Sequence, residues 1–216
     1  MKYVFLLFFF GVCVVAFGQD KTYTFVFLNK KPDAEPLPKE QVDKLMQGHM
    51  ANIERLAKEG KLLAAGPFDG GGGIFILNTT SPDEANEWLS TDPGIQAKRW
   101  NIELFPYKPR VGSICPVGEK YEMVTYHFIR FDGIVEKFTA NTFPEIINKH
   151  NEFLKNLSTT GNVITEGIFG EHDGGILIMQ GDLQKEVIES DPGVQEGLLN
   201  VTFRKLWIAK GSFCEK

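Results

Sequence analysis

The chain has 216 residues, enough for one large domain or two small ones that each bury a modest core. A hydrophobic share of 43% with 18 Phe excludes an intrinsically disordered chain. The net charge is a mild -5, and no basic stripe or arginine-rich run offers a surface for nucleic acid.

The first segment reads as a targeting signal rather than as part of the fold. Lys2 gives a short basic start, Tyr3 to Phe17 is almost purely apolar, and Ala16-Phe17-Gly18 puts small residues before a cut at Gln19. The apolar run is short for a membrane span and is followed by polar Gln-Asp-Lys. The expectation is a signal peptide over residues 1–18, a secreted or periplasmic protein, and no membrane contact after cleavage. Export leaves Cys115 and Cys214 in an oxidising compartment, where they either bridge or hang at opposite ends of the fold. A zinc site needs Cys and His ligands at closer spacing than any found here.

Thr22 to Leu28 is aromatic and β-branched, which predicts a strand, and Lys30 to Pro38 is a loop rich in proline and charge. From Pro38 to Glu59 the positions Val42, Leu45, Met46, His49, Ile53 and Leu56 form one helical stripe, which Gly60 ends. Leu62 to Gly66 and Gly73 to Asn78 predict two strands joined by a glycine-rich hairpin turn. Ser81-Pro82-Asp83-Glu84 opens a second helix, Asp92-Pro93-Gly94 breaks it, and Asn101 to Tyr107 is a strand. The order is βαββαβ.

The same order then returns. Tyr121 to Phe131 predicts a strand, Thr142-Phe143-Pro144-Glu145 a helix start, and Val163 to Gly167 with Gly174 to Met179 the middle strands. Leu183 to Glu189 is a shorter helix, Asp191-Pro192-Gly193 repeats the break, and Val201 to Ala209 closes the copy. His49/His150, Ile53/Leu154, Leu56/Leu157, Gly60/Gly161 and Gly66/Gly167 share one offset of 101 residues. The chain therefore writes one module twice: residues 19–110, a linker over 111–118, and residues 119–212. Two such units, each with one sheet face free, bury those faces against each other. The expected fold is α+β, two ferredoxin-like βαββαβ units packed sheet to sheet as an intrachain pseudo-dimeric α/β barrel.

Each copy resembles the YCII-related domain. The pattern of that family is a helix with a central His, a Glu-Gly-[Lys/Arg]-Leu-Leu-x-Ala-Gly-Pro segment, and a later Asp-Pro. Here His49, Glu59-Gly60-Lys61-Leu62-Leu63-Ala64-Ala65-Gly66-Pro67 and Asp92-Pro93 fit closely. The second copy keeps His150, Gly161, Gly167 and Asp191-Pro192, with Ile168 in place of the proline. The resemblance implies a His/Asp active site, and one branch of the family dehydrochlorinates a chlorinated hydroquinone.

Four residues are therefore the candidate catalytic set: His49, Asp92, His150 and Asp191. Each histidine sits mid-stripe, where leucine would pack better, and a carboxylate beside an imidazole fixes its tautomer and makes a usable base. A structural histidine and an ordinary Asp-Pro-Gly turn cap are the competing explanations. Three functions follow. The first is a small-molecule lyase or isomerase moving a proton with no cofactor or metal. The second is a module that holds a small ligand without turnover. The third, on fold analogy alone, is a haem-handling barrel with one histidine as axial ligand. The expected partner is a small molecule, with self-association left open.

Overall fold

The computed structural model describes residues 21–118, 120–139, 142–170 and 173–214. The expected signal segment lies outside them, as does His172. Among the described residues no helix is long and apolar enough to cross a membrane.

Strand β1 (Tyr23–Lys30) is apolar on both faces, and its first six residues are buried. Such a strand needs cover on each side. Phe25 and Phe27 point one way into a central core, while Val26 and Leu28 point the other way toward the helices. Helix α1 (Lys39–Lys58) follows and buries His49, Asn52 and Leu56. Just beyond it Gly60 takes φ 68°, the left-handed conformation that favours glycine. Strands β2 (Leu62–Pro67) and β3 (Gly73–Leu77) form the hairpin, and Phe68 N–H donates to the Gly72 carbonyl across its turn.

Helix α2 (Pro82–Ser90) starts at Ser81, whose Oγ accepts from the Glu84 N–H. The Glu84 carboxylate does not return to the Ser81 N–H as a capping box would have it. It accepts from Thr79 Oγ1, which in turn accepts from Ser81 N–H. One-turn helix α3 (Pro93–Gln96) leads into β4 (Trp100–Val111).

The second half repeats this with β5 (Met123–Gly133), α4 (Phe143–Leu157), β6 (Val163–Ile168), β7 (Gly175–Met179), α5 (Lys185–Glu189), α6 (Pro192–Gln195) and β8 (Leu199–Ala209). Thr142 precedes α4 without capping it: its hydroxyl engages Thr139 Oγ1, which also accepts the Thr142 N–H.

All eight strands join in the order β2-β3-β1-β4-β6-β7-β5-β8, antiparallel throughout. An antiparallel bridge from Phe68 to Leu206 brings the two ends together. The result is two ferredoxin-like units facing each other across a barrel, with helices outside. Barrel interior and helix-covered faces form three apolar clusters, one inner and one outer for each unit.

The link between the halves is not all loop. Strand β4 pairs with β1 from Trp100 to Tyr107, then with β6 from Lys108 to Val111. It is the strand that stitches one unit to the other, with a bulge between Pro109 and Val111 where proline lacks an N–H to donate. Beyond it, Ile114 bridges to Phe213, and Cys115 and Cys214 form a disulfide with Cα atoms 5.4 Å apart.

Candidate functional site

The two Asp-Pro-Gly breaks are built alike. Asp92 Oδ1 accepts from the N–H groups of Gly94 (2.8 Å) and Ile95 (3.1 Å), which caps α3. Its other oxygen, Oδ2, lies 2.7 Å from His49 Nδ1. Asp191 divides its oxygens the same way, Oδ1 on Gly193 and Val194 N–H and Oδ2 at 2.7 Å from His150 Nδ1. Turn cap and imidazole partner are thus one residue with two jobs, not alternatives. The glycine after the proline is obligatory on steric grounds. A Cβ on Gly94 meets the Trp100 ring at 2.5 Å, and one on Gly193 meets Leu199 at 2.6 Å.

All four residues predicted from sequence therefore come together as two His/Asp pairs, each between a long helix and the outer face of its sheet. Both aspartates are fully buried. An ionised carboxylate only accepts, so each Nδ1 carries the proton in the hydrogen bond to its ionised aspartate.

The pairs differ at the far nitrogen. His150 is completely buried, its ring edge-on to Phe131, and Nε2 lies 3.1 Å from the Gly174 carbonyl oxygen. The carbonyl oxygen fills the space in front of Nε2, so this nitrogen cannot reach a substrate. His49 is 8% exposed, its ring flanked by Phe75 at 5.7 Å and Trp100 at 4.9 Å, and Nε2 has no hydrogen-bond partner among the described residues. With Nδ1 donating to Asp92, the lone pair of the neutral ring falls on this Nε2.

A second difference lies one helical turn on. Asn52 donates from Nδ2 to Asp92 Oδ2 at 3.3 Å, while its Oδ1 accepts from Arg55 Nη2 (2.8 Å) and Thr91 Oγ1 (2.9 Å). Arg55 also donates to Glu59, so a polar chain runs from surface to carboxylate. At the offset of the repeat the second half has Phe153 and Asn156. Asn52, Arg55 and Thr91 were missed by sequence reasoning; the usable signal was a polar residue on a buried stripe where the other copy has phenylalanine.

Burial by itself raises the Asp92 carboxyl. The hydrogen bond and charge of His49, helped by the Ile95 N–H and Asn52, outweigh that and hold it below its ordinary value. The carboxylate is fixed in its ionised form, which suits it to orient an imidazole and to stabilise an imidazolium.

No group of three or more potential metal ligands occurs among the described residues. An axial haem ligand needs a free imidazole nitrogen facing room for a porphyrin. His150 has both nitrogens engaged, His127 Nε2 lies 2.9 Å from the Gly181 carbonyl oxygen, and the His49 ring is wedged between two aromatics. A surface cavity of about 730 Å³ lies against α4 and is lined by Arg110, Asn151, Lys155 and Glu166 among others, with no histidine in its lining. The described histidines do not fit a haem.

Residues 22–106 match the family model for the YCII-related domain. No curated protein matches the sequence. Among solved structures, a chlorite dismutase-like protein is similar over 88% of this chain and 95% of its own, with 10% identity and a TM-score of 0.51. At that identity the likeness is one of fold alone. The first half of this chain is thus similar to a YCII-related domain, carried in the fold of the dimeric α/β barrels.

Proposed function

We propose that the protein is a cofactor-independent small-molecule lyase or isomerase whose base is His49 Nε2. One observation carries this reading: Asp92 holds Nδ1 at 2.7 Å while Nε2 has no partner among the described residues. Asp92 orients the ring and stabilises the imidazolium that forms, and Asn52 holds the carboxylate from its other side. His150 and Asp191 have the same first bond, but Nε2 of His150 faces a carbonyl, so we assign that pair to structure.

The step is a proton transfer. Nε2 takes a proton from a carbon acidified by a neighbouring carbonyl or ring, and the electrons of the C–H bond form a double bond. In a lyase the leaving group departs with its electron pair as an anion. In an isomerase the imidazolium returns the proton at a neighbouring carbon. The match to the YCII-related domain supports an enzyme-like or small-molecule-binding module.

Two probes test this on the full chain: a chlorinated hydroquinone read by chloride release, and a 2-oxo acid read by deuterium uptake in heavy water. Turnover of either is expected, lost in His49→Gln and kept in a folded His150→Gln variant. Turnover that survives His49→Gln overturns the assignment of the base. Failure of both probes with the wild-type chain overturns catalysis in favour of ligand holding.

A further inference from the structure

The two seams where the units meet are related by the repeat, yet they are built from different residues. At one, β4 pairs with β6, with Val111 opposite Glu166. At the other, Phe68 bridges to Leu206 and brings β2 against β8. The long helices and the strands after them repeat at an offset of 101 residues, and the segments from Asp92 and Asp191 to Cys115 and Cys214 at 99. On those offsets Arg110, Asn151 and Glu166 of the first seam correspond to Ala209, Met50 and Ala65 of the second.

The polar set of the first seam is tightly organised. Glu166 is 3% exposed, and its carboxylate accepts from Arg110 Nε, 3.1 Å from both oxygens, and from Arg110 Nη2. Arg110 Nη1 donates to Asn151 Oδ1 at 2.7 Å. A guanidinium has five N–H groups, so one on each terminal nitrogen is left, the pair at the end of the fork. Taking such an ion pair out of water carries a desolvation cost that only good geometry offsets, and the second seam closes with alanines in both places. The fold therefore does not require the pair. Arg110, Asn151 and Glu166 line the cavity of about 730 Å³ against α4. Two more charges line it, Glu152 and Lys155, three residues apart on α4. Both are exposed, and neither makes a hydrogen bond or ion pair among the described residues. Their counterparts in the first half are Ala51 and Glu54, so this set too is confined to one seam.

We propose that this cavity binds an α-amino acid as its zwitterion, the carboxylate on Lys155 and the end of the Arg110 fork, the ammonium on Glu152. Arg110 and Glu166 cancel each other, so the charges offered to a ligand are one ammonium and one carboxylate. A zwitterion answers both, whereas a ligand with a single charge leaves one of them unmatched. Glu166 and Asn151 hold Arg110 in advance, so little of its freedom is lost when a carboxylate meets it. Val111 and the methylene stems of Arg110 and Lys155 supply an apolar wall, and the volume lies in the range of small-molecule sites. The cavity belongs to α4 and has no histidine, whereas His49 is on α1, so the inference goes beyond the proposed reaction.

The probes are L-leucine and two counterparts that each lack one charge, N-acetyl-L-leucine and L-leucinamide, titrated calorimetrically into the full chain. Saturable one-to-one binding of L-leucine is expected, with each counterpart at least tenfold weaker, about 1.4 kcal/mol. Lys155→Met and Glu152→Gln change exposed side chains, and each should weaken L-leucine at least tenfold. Lys155→Met should leave L-leucinamide unchanged, and Glu152→Gln should not weaken N-acetyl-L-leucine. His49→Gln should bind L-leucine as wild type does, so loss of the base leaves this test intact. The proposal is overturned if L-leucine does not saturate the wild-type chain, if either counterpart binds as tightly as L-leucine, or if Lys155→Met or Glu152→Gln binds it as wild type does.

Discussion

Asn52 and Phe153 occupy the same position in the two halves, three residues after the histidine of their helix. Asn52 ties its carboxylate into a polar chain that reaches Arg55 and Thr91, whereas Phe153 packs with the apolar residues over the second sheet. One substitution at a repeated position thus separates a site wired to the surface from one sealed in apolar packing.

Exchanging these side chains should cost stability in both directions. Asn52→Leu deprives Arg55 and Thr91 of an acceptor and Asp92 of a donor, a loss of about 1 kcal/mol. Phe153→Asn forfeits ring packing and strands an amide, a loss of about 2–4 kcal/mol. Thermal unfolding reads both, and equal or negligible shifts contradict the asymmetry.

Asp92 sets an acid limit on the fold. Its carboxyl titrates below its ordinary value of about 3.9, so the folded state binds its proton less readily than the unfolded state does. The stability it contributes is present above that ordinary value and is lost as pH falls through the lower folded value. In chemical denaturation from pH 6 to pH 2, the gap between wild type and Asp92→Asn should be widest above about pH 4 and narrow below it. A gap that does not change with pH contradicts this.

The disulfide closes a loop of 99 residues in sequence separation and clips the buried Ile114–Phe213 bridge. In the chain-entropy model a loop of that length is worth about 4–5 kcal/mol. The Cys115→Ser, Cys214→Ser double variant should lose stability on that scale, and thiol labelling of the oxidised, denatured wild type should find neither cysteine free. Two reactive thiols per chain contradict the bridge.

Lys98 has φ 51°, where the second half places Gly197 at φ 68°. A side chain in that region costs about 1 kcal/mol, so Lys98→Gly should raise the melting temperature by about 2–4 °C. A fall shows that the lysine side chain contributes more than its backbone costs.

Much of this architecture was legible because it is written locally and twice. The spacing of Val42, His49 and Leu56, the stops at Gly60 and Gly161, and the Asp-Pro-Gly breaks each follow from a few neighbouring residues. What escaped depends on partners distant in sequence. Val111 reads as linker, yet the strand continues to it because β6 of the other unit lies alongside. Arg130 follows two apolar residues on a strand, and its burial is comprehensible only with Asp173 beside it. The difference between His49 and His150 was invisible as well, since both stripes look alike. It turns on where the Gly174 carbonyl oxygen lies.

The central claim is that Nε2 of His49 is free whereas both nitrogens of His150 are engaged, and nitrogen-15 NMR of the histidine side chains measures this directly. The two rings should give distinct signatures: in the neutral ring of His49 the proton sits on Nδ1 and Nε2 is open to solvent exchange, while Nε2 of His150 is shielded from exchange beside the Gly174 carbonyl. Identical signatures for the two rings, or a protonated Nε2 on neutral His49, would contradict the assignment of His49 as the base.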